Sequence, residues 1–128
     1  KAHYDHQSKA RRDLIKGLSQ TYGLFFFFRG NCTYCHEMAP IVEGFSRVYG
    51  WEVMPISLDG GKLSSFPNAK QNNGIAQTLN VDVVPALIAI DPVSKKVFPV
   101  AYGMASLDEI ERRIEVLHTY LQRKGAHP

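Results

Sequence analysis

The sequence predicts an α/β fold: a central mixed β-sheet with helices on both faces, and one further helix ahead of it. Three observations carry this. The apolar run Leu24 to Phe28, a helical repeat reaching Tyr49 and a second apolar segment from Trp51 form strand, helix, strand with short links, the mark of a parallel pair. Later, Ala86 to Ile90 turns at Asp91-Pro92 and returns over Lys95 to Gly103, which reads as an antiparallel hairpin. Finally, Ser106 with Glu109 forms a capping box at the start of an amphipathic closing helix.

Each element follows from its own pattern. Between Tyr4 and Gln20, the residues Ala10, Leu14, Ile15 and Leu18 recur at helical spacing, and Gly23 ends the segment. Lys9, Arg11, Arg12 and Lys16 cluster there, diluted by Asp5 and Asp13, and read as a solvated helix face. Leu24 to Phe28 is continuously apolar between Gly23 and Gly30, as expected of a strand covered on both faces. Met38, Val42, Phe45 and Tyr49 define a helix that begins beside Cys32 and stops at Gly50. Pro40 falls inside it, removes a backbone hydrogen bond and predicts a kink.

Trp51 to Asp59 reads as the next strand. Residues Gly60 to Gly74 are polar and turn-rich, a functional or a disordered loop. Ile75 to Leu79 suits a short helix. In the last helix Leu107, Ile110, Ile114, Leu117 and Leu121 mark the buried stripe, and Gly125 and Pro128 follow its end. The predicted order is α–β–α–β–loop–α–β–β–α, with no internal repeat and no dividing linker.

Composition bounds the function. A chain of 128 residues suits one domain with a core that needs no staples. A net charge of +3 is too small to argue for nucleic acid. No apolar run approaches the ~20 residues that span a bilayer. Beginning at Lys1, the chain is expected to be a processed protein or an excised domain. Two cysteines separated by two residues cannot staple distant segments, so their use is local chemistry.

The run Cys32-Thr33-Tyr34-Cys35-His36 admits three chemistries. Zinc would need Cys32 and Cys35 with His3 and His6, but these histidines sit at the terminus with no defined route to the sulfurs. A c-type haem would need both sulfurs as thioethers and His36 as axial ligand, with Met38, Met54 or Met104 opposite. Yet an apolar strand leads directly into the motif, and the sheet-rich remainder offers no evident haem crevice. A redox dithiol needs only what the pattern supplies. At a helix start, Cys32 faces unpaired N–H groups and the positive end of the macrodipole, both of which favour the thiolate. Cys35, one turn further, lies beside it and can resolve a mixed disulfide.

A strand entering C-x-x-C, a proline five residues after the second cysteine and a late Val-Pro before a strand together resemble the thioredoxin fold. The resemblance divides the chain into a helical extension (1–22), a thioredoxin-like domain (23–122) and a tail (123–128). It implies a cis bond at Val84-Pro85, with Pro85 lying against the disulfide and Val84 offering its backbone to a substrate polypeptide as an added strand edge. "CTYCHEM" is similar to periplasmic disulfide isomerase motifs. "FFFFRGNCTYCHEMAPIV", "SLDGG…FPNAKQNNG" and "VVPALIAIDP…YGMASLDEIERRI" more closely resemble the TraF/TrbB-type proteins of conjugative type IV secretion.

That resemblance implies a periplasmic thiol–disulfide oxidoreductase supporting pilus assembly, with Cys32 as nucleophile, Cys35 as resolving thiol and no external cofactor or metal. Thr33, Tyr34 and His36 would tune the site, Tyr34 as a substrate-facing surface. His36 has two readings, a thiolate-stabilising imidazolium or a solvated bystander. Expected partners are proteins carrying thiols or disulfides, the conjugative machinery and a periplasmic redox partner; nucleic acid and membrane insertion are not expected. One departure stands out: many thioredoxins bury a carboxylate six residues before the first cysteine, and that position is Phe26 here. Cys35 would then lose its proton to water or to an unidentified group, slowing release of mixed disulfides. The competing class is a non-catalytic assembly module that holds partners through residues 60–74.

Overall fold

The computed structural model describes residues 2–124, with side chains from residue 8 onward, so His3, His6, Gly125 and Pro128 lie outside the described residues or side chains. Its elements are α1 (Ala2–Leu18), β1 (Gly23–Phe28), α2 (Thr33–Tyr49), β2 (Val53–Ser57), β3 (Lys70–Gln71), α3 (Ile75–Thr78), β4 (Ala86–Ile90), β5 (Val97–Tyr102) and α4 (Leu107–Arg123). Five strands form one sheet in the order β3-β2-β1-β4-β5. The pairs β1–β2 and β2–β3 are parallel, whereas β4 runs antiparallel to both β1 and β5.

The phenylalanine run is continuously apolar because β1 is central and both its faces are covered. Leu24, Phe26 and Phe28 alternate into a core with Ile15 of α1, Met38, Val42 and Phe45 of α2, and Ile110, Ile114 and Leu117 of α4. Phe27 points the other way, joining Ile56, Ala76, Val81, Ala86 and Ile88. Three helices thus line one face, while the four-residue α3 and its flanks cover the other.

Helix ends follow the expected chemistry. Gly50 adopts φ 76°, a left-handed cap whose N–H donates to the Ser46 carbonyl. Ser106 and Glu109 form both bonds of the capping box. Pro40 lies inside α2 on its exposed side, and the helix continues through it to Tyr49.

Four details differ from expectation. The 60–74 segment carries β3, and it also sends Leu63 into the main core with Phe66 packed beside it. Trp51 precedes β2 rather than belonging to it; its ring lies against Tyr22 and Phe45, and its Nε1–H donates to the Ile15 carbonyl at 2.9 Å. Ala10 and Leu107 are exposed, so the buried stripes begin later than their spacing suggested.

Arg11 is the fourth. Instead of facing solvent, its guanidinium donates to Asp108 (3.0 Å), Glu111 (3.2 Å) and Glu115 (3.0 Å) on α4. Tyr49 completes the cluster by donating its hydroxyl to Glu111 at 2.6 Å. Burial and the Glu111 carboxylate push that phenol up to about 12. Arg11 holds Asp108 below the usual carboxylate range. The folded state therefore favours the ionised carboxylate, a contribution present above about pH 4 and lost as pH falls through the depressed folded value. Arg11→Met is expected to lower the urea midpoint at neutral pH, with the gap to wild type closing on acidification. A pH series of urea curves checks this. Among the described residues, no helix is long and apolar enough to cross a membrane.

Candidate active site

The site is built where β1 hands the chain to α2. Arg29, Gly30 and Asn31 turn out of the strand, the Cys32 N–H donates to the Arg29 carbonyl at 3.3 Å, and Thr33 opens the helix. Cys32 is the N-cap, in an extended conformation (φ −96°, ψ 111°), and its sulfur accepts the Cys35 N–H at 3.0 Å. A sulfur thus takes the place that a serine or aspartate oxygen usually fills, capping one of the helix's free donors. No acidic residue occupies the first turn to oppose a thiolate there.

Cys32 and Cys35 are joined as a disulfide, with their Cα atoms 5.1 Å apart. Each sulfur is thus paired with the other, the arrangement a redox dithiol adopts when oxidised. The candidate haem ligands are dispersed as well: Met38 is in the core, Met54 and Met104 are exposed, and the His36 ring meets a backbone carbonyl. Among the described residues, no three His, Cys, Asp or Glu side chains gather as a metal site.

The two sulfurs differ in exposure. Cys35 is fully buried in the cluster that contains Phe26, Phe28 and Leu63, whereas Cys32 is partly exposed at its margin. Phe26 shares that cluster with Cys35, and the Phe66 ring lies 5.7 Å from the Phe26 ring. Ser57 is the sole buried polar residue among those described, and its hydroxyl donates to the Gly61 carbonyl at 2.8 Å.

The Val84–Pro85 peptide is cis. Because Ala86 pairs with Phe27, Pro85 lies level with Phe28, at the same end of the sheet as the Cys32 turn. Pro85 is buried, its carbonyl accepts the Gly103 N–H at 2.7 Å, and Val84 packs against the cluster holding Cys35. Tyr34 is 62% exposed, so its ring is open to a partner. Thr33 is exposed as well.

His36 is exposed in the first turn of α2, and its Nε2 lies 2.7 Å from the Gly30 carbonyl. Two residues that sequence reasoning passed over complete the surroundings. Asp59 accepts the Gly30 N–H through both oxygens (3.0 and 3.2 Å) and the Gly61 N–H at 2.9 Å. Those donors hold its carboxyl below the usual range. Gly61 approaches Gly30 so closely that a Cβ built on Gly61 would lie 2.4 Å from the Gly30 Cα. The sequence Asp59-Gly60-Gly61 at a strand end was the available signal, since aspartate followed by glycines favours a side-chain-to-backbone turn.

The fold has solved counterparts. A Schistosoma mansoni thioredoxin superposes with a TM-score of 0.57 at 23% identity, covering 81% of this chain and 89% of that one. The architecture is the thioredoxin fold. Curated relatives reach further in sequence: Protein TraF of Escherichia coli K12 is 34% identical over 103 residues, covering 80% of this chain and 42% of the relative. Protein TrbB of the same organism is 29% identical over 105 residues, covering 78% of this chain and 58% of the relative. The chain therefore spans about half the length of these relatives. The family described as "TraF: F plasmid transfer operon protein" matches residues 1–115, taking in α1, the Cys-x-x-Cys turn, the cis-proline and most of α4, and by that match the chain belongs to the TraF family.

Proposed function

We propose that the protein is a thiol–disulfide oxidoreductase acting on cysteines of other proteins, exported to the periplasm and serving assembly of a conjugative pilus and secretion apparatus. The observation that carries this reading is Cys32 at the N-cap of α2, its sulfur accepting the Cys35 N–H. An anion on that sulfur gains from a backbone donor and the helix dipole together. Family membership supports the conjugative setting.

The reaction balances as two exchanges. Reduced Cys32 attacks a substrate disulfide, forming a mixed disulfide and expelling one substrate thiolate. The Cys35 thiolate then attacks the Cys32 sulfur, closing the Cys32–Cys35 bond and releasing the second substrate thiolate. Two electrons pass from the protein dithiol to the substrate; the reverse sequence oxidises a substrate dithiol. A periplasmic redox partner restores the starting state. Val84 offers an unfolded substrate main-chain contacts beside the cis-Pro85 peptide, and Thr33 and Tyr34 form the adjoining surface.

Cys32→Ser is expected to abolish insulin-disulfide exchange in glutathione buffers and DTNB reactivity at the site. A wild-type protein that equilibrates with no disulfide would overturn the reading. Should the variant lose exchange yet support pilus assembly fully, the assembly-module alternative holds instead.

A further inference from the structure

Gly30 is the hinge between β1 and the cysteine turn, and both peptide units around its Cα are held by side chains from elsewhere. The unit before it offers an N–H, taken by the Asp59 carboxylate arriving from the end of β2. The unit after it offers a carbonyl, met by His36 Nε2 from the first turn of α2. A carbonyl only accepts, so the ring donates its Nε2–H. Glycine has the widest backbone freedom of any residue, and fixing both flanking planes removes it. The hinge must also be glycine, because a Cβ on it would lie 2.6 Å from the Gly61 Cα.

We propose that His36 and Asp59 are positioning residues that act jointly through Gly30 to aim the Cys32 sulfur at the mouth of α2. This rests on the reading of Cys32 as the attacking thiol. One residue, Asn31, separates the hinge from Cys32, so a turn left loose at Gly30 shifts Cys32 relative to the α2 donors that favour its anion. His36 acts here as a donor rather than as a charge, since both the Nε2–H tautomer and the imidazolium carry that N–H.

The distinction sets the experiment. In the reduced protein, the pH midpoint of Cys32 alkylation by iodoacetamide reports its thiolate fraction, with Cys35→Ala as the common background. His36→Ala and Asp59→Ala are each expected to raise that midpoint by about half a pH unit, the scale of one lost hydrogen bond. His36→Gln supplies an uncharged N–H at similar reach and should restore most of the shift. The Ala/Ala double variant should move it no further than the larger single change, because both residues serve one glycine. Asp59→Ala should also speed hydrogen exchange at the Gly30 amide by about tenfold.

Equal shifts for His36→Ala and His36→Gln would show that charge is what matters and overturn the proposal, as would unmoved midpoints or additive singles. Exchange of the wild-type protein with glutathione is measured in the same series. Inertness there sinks the proposed function, while alkylation and amide exchange still report on the hinge.

Discussion

Cys35→Ser is expected to arrest the protein at the mixed disulfide, lowering multiple-turnover exchange by about a thousandfold or more while leaving attack by Cys32 intact. Attack needs only the partly exposed Cys32 at the helix mouth. Release needs Cys35, which is fully buried. A reductant-sensitive adduct on non-reducing gels, at the combined mass of protein and substrate, is the measurement. The same geometry bears on the wild-type protein. On reduction, the Cys35 thiol would sit among Phe26, Phe28 and Leu63, shielded from water by apolar side chains. Resolution should therefore be the slow step of turnover, which quenched-flow measurement of mixed-disulfide decay checks. Mixed-disulfide decay faster than overall turnover would overturn this expectation.

Trp51→Ala carries the largest expected cost in stability, about 3–5 kcal/mol. The side chain is 1% exposed and fills the junction of α1, α2 and β2. Its loss opens a cavity beside Tyr22 and Phe45 and leaves the Ile15 carbonyl without its indole donor. Trp51→Phe keeps most of the apolar volume and forfeits the hydrogen bond, so a loss of about 1–2 kcal/mol is expected. Because Trp51 is the only tryptophan in the chain, urea unfolding must be followed by far-UV circular dichroism rather than fluorescence. A change within about 0.5 kcal/mol for Trp51→Ala would mean that α1 is not cooperatively part of the fold.

Most secondary structure was legible because its signals are local. The continuous apolar run Leu24 to Phe28, the stripe Ile110–Ile114–Leu117 and the Ser106–Glu109 box each lie within a few residues of chain. The two-residue β3 was not legible: its exposed Lys70 and Gln71 pair with β2 only because the chain returns along that edge. The basic residues of α1 gave the same pattern whether solvated or paired. Only the approach of α4 singled out Arg11, across 97 residues of sequence.

By itself, the sequence determined the strand–turn–helix that carries Cys32 and Cys35, because residue periodicity and glycine punctuation settle such units locally. It also carried the residues by which the TraF family is recognised. Tertiary structure alone decided what surrounds the sulfurs: Asp59 reaching Gly30 across 29 residues, and Leu63 and Phe66 closing over Phe26. It also brought the His36 ring onto the Gly30 carbonyl. These contacts depend on how distant segments come together, a distance that no local period encodes.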